Sequence, residues 1–209
     1  MPPSGGFFIC RHKMTAYKIA AIILAAGDSS RMGTPKSLLK IGQSNFHDTI
    51  LERLTGCPFD PLITVIGKAG AEIIRNSRVG KNHLFVNNPQ TEQGQLSSLQ
   101  YAIRKLPDDV HGCLVALVDH PLVKKETYQQ LYDLICVDPQ RIIIPVYQQQ
   151  GGHPVYFGRK YFKSLLKAPL SIGARSVVEK YSGEVFRWPV KDPGVRIDID
   201  TPADYKTHV

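Results

Sequence analysis

An apolar run that ends in a glycine-rich, basic turn constrains this chain more than any other feature. Residues 19–26, Ile-Ala-Ala-Ile-Ile-Leu-Ala-Ala, carry no polar side chain. That is the pattern of a strand buried on both faces of a sheet. Gly27, Ser29, Ser30, Arg31, Gly33 and Lys36 follow in close succession. Glycine lets the backbone approach a ligand and turn its N–H groups towards an anion. Arg31 adds a planar fork of donors and Lys36 a point charge, both suited to phosphate. A signal peptide, with Arg11, His12 and Lys13 ahead of an apolar core and Ala25-Ala26-Gly27 as its cleavage site, is the competing reading. It leaves Arg31-Met32-Gly33 and Pro35-Lys36 without a role.

The strand pattern recurs down the chain, alternating with helical spacing. Phe46, Ile50, Leu51 and Leu54 repeat at helical intervals over 45–55, and Gly56 stops them. Strands are expected at 62–66, 83–86 and 113–118, with helices at 71–76, 95–106 and 124–137 between and after them. Beyond these come a strand at 141–147, a loop at 148–152, an extended segment at 155–157 and short helices at 159–167 and 172–181. Strands at 186–190 and 195–199 and a helix from Thr201 complete the reading. Strands that alternate with helices over 19–137 predict a single-domain, Rossmann-like α/β sandwich of three layers with a mostly parallel sheet. Residues 1–16, with Pro2, Pro3, Gly5 and Gly6 and no period, read as a flexible tail ahead of a domain at 17–209.

Composition narrows the partners. The net charge is +8, but the cations are scattered and not interleaved with aromatics. They fit a polyanionic small molecule better than nucleic acid. No apolar run approaches the roughly 20 residues of a membrane span. Cys10, Cys57, Cys113 and Cys136 form no C-x-x-C pair, which argues against zinc and for a reduced, cytoplasmic protein.

Three polar clusters sit at expected strand ends, where ligands bind on parallel sheets. Asp119 directly follows the 113–118 strand. Asp198 and Asp200 alternate with Ile197 and Ile199, so an extended chain puts both carboxylates on one face. Paired carboxylates call for a cation, and Mg2+ is the natural one. For Asp200 a helix cap before Thr201-Pro202 is an equal reading, and Asp204 suits the first-turn dipole. Gly94, Ser97 and Ser98 at a helix start suit close approach of a ligand, with simple capping as the alternative. Gly151-Gly152-His153-Pro154 forms a shaped loop.

Together, Leu24-Ala25-Ala26-Gly27, Ser29, Arg31-Met32-Gly33 and Pro35-Lys36 resemble the L-A-A-G-x-S-x-R-M-G-x-P-K signature of nucleotidyltransferases. Within that group they are most similar to the molybdenum cofactor cytidylyltransferase branch. The resemblance implies a fold of the nucleotide-diphospho-sugar transferase type. It implies a loop wrapped round a triphosphate, with Leu24, Ala25, Ala26, Gly27, Ser29, Arg31 and Lys36 binding the nucleotide and Gly94 and Ser98 holding its base and ribose. Asp119-x-Pro121 resembles the family's D-x-P metal site, and Asp198-Ile-Asp200-Thr-Pro202-x-Asp204 its D-x-D-T-P-x-D end. Asp119 and Asp198 are thereby implied metal ligands for Mg2+ (or Mn2+), with Asp200 assisting. Arg31, Lys36 and Asp119 are the implied catalytic set. Gly152 and His153 of the G-H-P segment, and Arg175 of Gly173-Ala174-Arg175, are implied to face the acceptor.

The implied reaction moves CMP from CTP to a phosphorylated pterin, molybdopterin or the molybdenum cofactor, and releases pyrophosphate. Docking to a molybdoenzyme or its chaperone follows from the same resemblance. Two departures stand out: Val118 where many relatives have Gly, and Ser44-Asn45-Phe46-His47-Asp48 in place of a small-apolar run. Rival readings are guanylyl transfer, a sugar phosphate, phospholactate or methylerythritol phosphate as acceptor, and a non-catalytic carrier of a pterin cofactor. A dinucleotide dehydrogenase would need the Gly-x-Gly-x-x-Gly that this turn lacks.

Overall fold

The computed structural model describes residues 17–27, 33–78, 80 and 83–209. The expected tail at 1–16, together with Ser29 and Arg31 of the turn, lies outside the described residues.

The apolar run forms strand β1 (Ile19–Ala25), buried at every position. A small hairpin follows, β2 (Lys40–Ile41) against β3 (Ser44–Asn45). Helix α1 (Phe46–Thr55) starts where the Asn45 side chain accepts from the Asp48 amide, which caps its first turn. Then come β4 (Leu62–Ile66), α2 (Gly70–Asn76), β5 (His83–Asn87), α3 (Gln95–Ile103), β6 (Gly112–Leu117) and α4 (Lys125–Val137). The remainder is β7 (Ile142–Tyr147), β8 (Gln150–Gly151), β9 (Val155–Gly158), α5 (Phe162–Lys167), α6 (Arg175–Lys180), β10 (Val185–Pro189) and α7 (Pro202–His208). Among the described residues no helix is long and apolar enough to cross a membrane.

The main sheet runs β10-β7-β9-β6-β1-β4-β5, with β8 paired to β7. β5, β4, β1 and β6 are mutually parallel, as the alternation predicts. β9 runs antiparallel to both neighbours.

Period two in β1 explains the three layers. Ile19, Ala21 and Ile23 face a core with Phe46, Ile50 and Leu54 of α1 and Tyr128, Leu131 and Ile135 of α4. Ala20, Ile22 and Leu24 face the opposite core, with Leu96, Leu99 and Ile103 of α3 and Leu165 of α5. A strand with helices on both sides has no face on which to place a polar residue.

The structure corrects one expected element that bears on the site. Residues 195–199 are not a strand. Pro193–Val195 is a 3₁₀ turn, capped by Asp192, whose carboxylate accepts from Gly194 N at 2.9 Å. Gly194 lies so close to Leu122 that a Cβ would sit 2.3 Å from its carbonyl oxygen. The chain after it is irregular and joins the rest by a bond from Ile199 N to Asp119 O at 2.9 Å. Ile199 is buried while Asp198 is exposed, so the alternation records one-sided burial without a strand partner. A smaller difference is the 148–152 loop, which contains a hairpin. Gln148 and Gln149 both take positive φ, 47° and 65°, joining β7 to β8 as a two-residue turn requires. Glutamine gives no sequence warning of such a turn.

Candidate active site

β1 pairs with β4 on one side and β6 on the other, so the connections after these strands diverge at their carboxyl ends. That is where open α/β sheets bind ligands. A cavity of about 380 Å³ opens there. The end of β1 supplies Leu24, Ala25, Ala26 and Gly27, the returning turn supplies Pro35, Lys36 and Ser37, and the end of β6 supplies Leu117, Val118 and Asp119. Gly94 and Ser98, at the start of α3, line the far wall with Thr91 and Gln95.

Two glycines are required by geometry. Gly94 has φ +86° and ψ −174°, a conformation open essentially to glycine alone. It starts α3 without a side-chain cap, so the backbone N–H groups of that first turn are not covered by one. At Gly67, after β4, a Cβ would lie 2.5 Å from Thr91 Cγ2 and 2.7 Å from the carbonyl oxygen of Ala26. Only glycine lets the β4 loop close against the end of β1.

Charge converges on Asp119. Lys36 Nζ donates to Asp119 Oδ2 at 3.4 Å and makes a shorter contact with Asp200 Oδ1. The Lys36 and Asp119 side chains are 16% and 17% exposed. The other carboxylate oxygen, Asp119 Oδ1, is buried and has no hydrogen-bond partner among the described atoms. An orphaned carboxylate oxygen is costly, and it fits a hard divalent cation as a missing partner. The described residues hold no group of three His, Cys, Asp or Glu able to cage a metal alone. Mg2+ needs no such cage, because one or two carboxylates plus substrate phosphates and water complete its shell. Asp198 lies one residue before Ile199, which is bonded to the Asp119 carbonyl.

His120 packs its ring 5.1 Å from that of His153. Burial pushes His153 down to about 3, with a further lowering from His120. Burial also lowers His120, against opposing pulls from Asp119 and Asp198. Both rings are therefore neutral at neutral pH. His153 N donates to Val195 O at 2.8 Å. A Cβ on Gly152 would sit 2.1 Å from the same carbonyl. The Gly-Gly-His-Pro loop is thus fastened to Val195, with His153 against His120.

Most expected site residues meet here: Leu24, Ala25, Ala26, Gly27, Lys36, Gly94, Ser98 and Asp119 line one cavity, with Asp200 joined through Lys36. The cap reading of Asp200 is displaced. Thr201 is the cap, locked in a reciprocal box with Asp204, which confirms Asp204 as a first-turn partner. Asp198, Gly152 and His153 do not line this cavity, and Arg175 is not brought in. It starts α6, bonds Glu179 at 2.7 Å, is 81% exposed and does not line the cavity. Gly67, Lys68, Ala69 and Thr91 were not foreseen. The strand-end rule that finds Asp119 also applies to the Gly67-Lys68-Ala69-Gly70 run after β4.

A family model described as the MobA-like NTP transferase domain matches residues 21–185. The Escherichia coli protein named molybdenum cofactor cytidylyltransferase is 26% identical over 190 residues, covering 90% of this chain and 94% of its own length. The crystal structure of Rv0371c from Mycobacterium tuberculosis superposes with a TM-score of 0.81 at 30% identity, over 93% of this chain and 98% of that one. A manganese complex of Rv0371c gives 0.77 at 26% identity, over 92% and 98%.

Proposed function

Because this chain belongs to the MobA-like NTP transferase family and is a nucleotidyltransferase, we propose that it moves CMP from CTP onto the phosphate of a molybdopterin-type acceptor. The observation that carries this is the orphaned Asp119 carboxylate oxygen beside Lys36, at the switch point of the sheet. The likeness to the E. coli cytidylyltransferase along nearly its whole length supports the choice of base and acceptor.

An acceptor phosphate oxygen attacks the α-phosphorus of CTP. The bond from the α-phosphorus to the bridging oxygen breaks, and its electron pair leaves with pyrophosphate. The nucleophile is already an anion, so no general base is needed, and catalysis is positioning plus charge neutralisation. Lys36, with Arg31 from the turn, draws off charge on the leaving pyrophosphate. Gly27, Ser29 and the backbone of Leu24, Ala25 and Ala26 cradle the phosphates. Gly94 and Ser98 take the base and ribose. A divalent cation, Mg2+ or Mn2+, on Asp119 and Asp198 with Asp200 assisting, would neutralise phosphate charge when bound. Gly152 and His153 face the acceptor; Arg175, held by Glu179, is left out of this assignment. The protein works in the cytoplasm and hands its product to a molybdoenzyme or its chaperone.

A thermal-shift panel of CTP, GTP, ATP and UTP, each with and without Mg2+, tests the reading. A ligand at a hundred times its Kd adds about 2.7 kcal/mol, or roughly 5–10 °C for a chain of this size. The expected result is the largest shift with CTP and Mg2+, and pyrophosphate release when molybdopterin is added. A larger shift with GTP, or none with any nucleotide, overturns it.

A further inference from the structure

Asn88 directly follows β5 and is 1% exposed. One neighbour fixes which way its amide points. The backbone N–H of Gln90 donates to Asn88 Oδ1 at 2.9 Å. An N–H can only donate, so the oxygen must lie there and the NH2 on the other side. That NH2 has two protons and finds two hydroxyls: Nδ2 donates to Ser97 Oγ at 3.1 Å and to Ser98 Oγ at 3.0 Å. Ser97 passes its own proton to Gln90 O at 3.3 Å. Among the described residues the Ser98 side chain makes no other hydrogen bond, and Ser98 lines the cavity while only 4% exposed. One of its two lone pairs is occupied and its proton is uncommitted.

We propose that Asn88 is a positioning residue which turns the Ser98 hydroxyl proton towards an acceptor atom of the bound nucleotide. A hydroxyl left to itself can donate or accept by rotating. With one lone pair taken by the Asn88 amide, the Ser98 proton must point away from Asn88, which leaves it to be given to the cavity. A nucleotide edge that presents an acceptor there gains a bond. One that presents an N–H can use only the remaining lone pair and leaves the Ser98 proton unpaired in a buried place, which is disfavoured. Asn88 thus sets base preference without touching the base. The inference rests on the reading of this cavity as a nucleotide site.

Asn88→Asp is the discriminating change, because it keeps the shape and the acceptor for Gln90 but replaces the NH2 by an oxygen. The Ser98 hydroxyl must then donate to Asp and offers the cavity only a lone pair. CTP binding in Mg2+ is measured by calorimetry, with melting curves as the fold control. Ser98→Ala and Asn88→Asp should each weaken CTP about tenfold, the worth of one hydrogen bond. The double variant should be no weaker than Ser98→Ala. Ser97→Ala, which leaves the Asn88–Ser98 bond in place, should stay within about twofold of wild type. Wild-type affinity in Asn88→Asp alongside a weakened Ser98→Ala overturns the proposal and leaves the nucleotide site standing. Wild-type affinity in Ser98→Ala removes Ser98 from the site and the proposal with it. Should Asn88→Asp not fold, equal losses in Ser97→Ala and Ser98→Ala overturn the proposal, and a loss in Ser98→Ala alone supports it.

Discussion

Replacing Asp119 by Asn separates what this carboxylate does for the fold from what it does for catalysis. At 3.4 Å the Lys36–Asp119 attraction is about 5 kcal/mol gross at an effective dielectric of about 20. Little of that is net. The two groups are partly solvated, Lys36 keeps its contact with Asp200, and repulsion between the carboxylates is relieved. A stability loss of about 1 kcal/mol follows, seen as a melting point lower by roughly 2–4 °C. The catalytic loss is larger. Charge stabilisation by a bound cation supplies several kcal/mol; losing about 4 kcal/mol slows turnover about a thousandfold. The assay is pyrophosphate release from CTP and acceptor at saturating Mg2+, beside a melting curve. Turnover within about tenfold of wild type in a folded variant would refute the role given to Asp119. A melting point lower by more than 10 °C would show that the carboxylate serves the fold first.

Two further outcomes are expected. Gly67→Ala pushes a methyl to 2.7 Å from the Ala26 carbonyl, a backbone atom that cannot swing aside as the Thr91 methyl can. It should cost about 1–3 kcal/mol and weaken CTP at least tenfold, with no rescue by Thr91→Ser; unchanged melting and unchanged calorimetric affinity would contradict the close approach. Burial, then the neighbouring His47, pushes His83 down to about 4, and both its ring nitrogens are buried without partners among the described residues. Between about pH 6.5 and 4 the unfolded chain therefore binds a proton there that the folded one does not. The stability from this neutral ring is full above pH 6.5 and is lost as pH falls through that window. Melting points of His83→Phe across pH 4.5–7.5 should show a shallower decline than wild type, and equal slopes would sink the assignment.

What was legible in the sequence was what a single element dictates. β1 has no polar side chain, so its double burial and the parallel sheet around it could be read directly. Asp119 could be read because a carboxylate that ends such a strand has nowhere to go but the cleft. Gly94 and Ser98 were reached through their place at a helix start and through the family resemblance. What escaped depended on contacts between distant segments. The 195–199 run has the alternation of a strand, but strand formation needs a paired neighbour, and among the described residues this run pairs with none. Arg175 has the right charge, but its position follows from the packing of α6 against the sheet, which no local spacing encodes.

The same dependence on distant contacts explains how the 194–199 segment is brought to Asp119 at all. Asp119 stands at the end of a strand in the sheet centre, and Asp198 follows the last strand of the chain by several residues. No hydrogen-bonded ladder links them. The approach is set by backbone contacts: Gly194 pressed on Leu122, Gly152 pressed on Val195, and Ile199 N bonded to Asp119 O. Each glycine stands where a Cβ would overlap a carbonyl oxygen. Carboxylates repel as they approach, so a segment that carries one must be held against the other by forces that do not involve charge. Buried Val195 and Ile199 supply that anchoring, and Lys36 offsets the charge that remains between Asp119 and Asp200. The approach of this segment to Asp119 is therefore a product of close backbone packing first and electrostatics second.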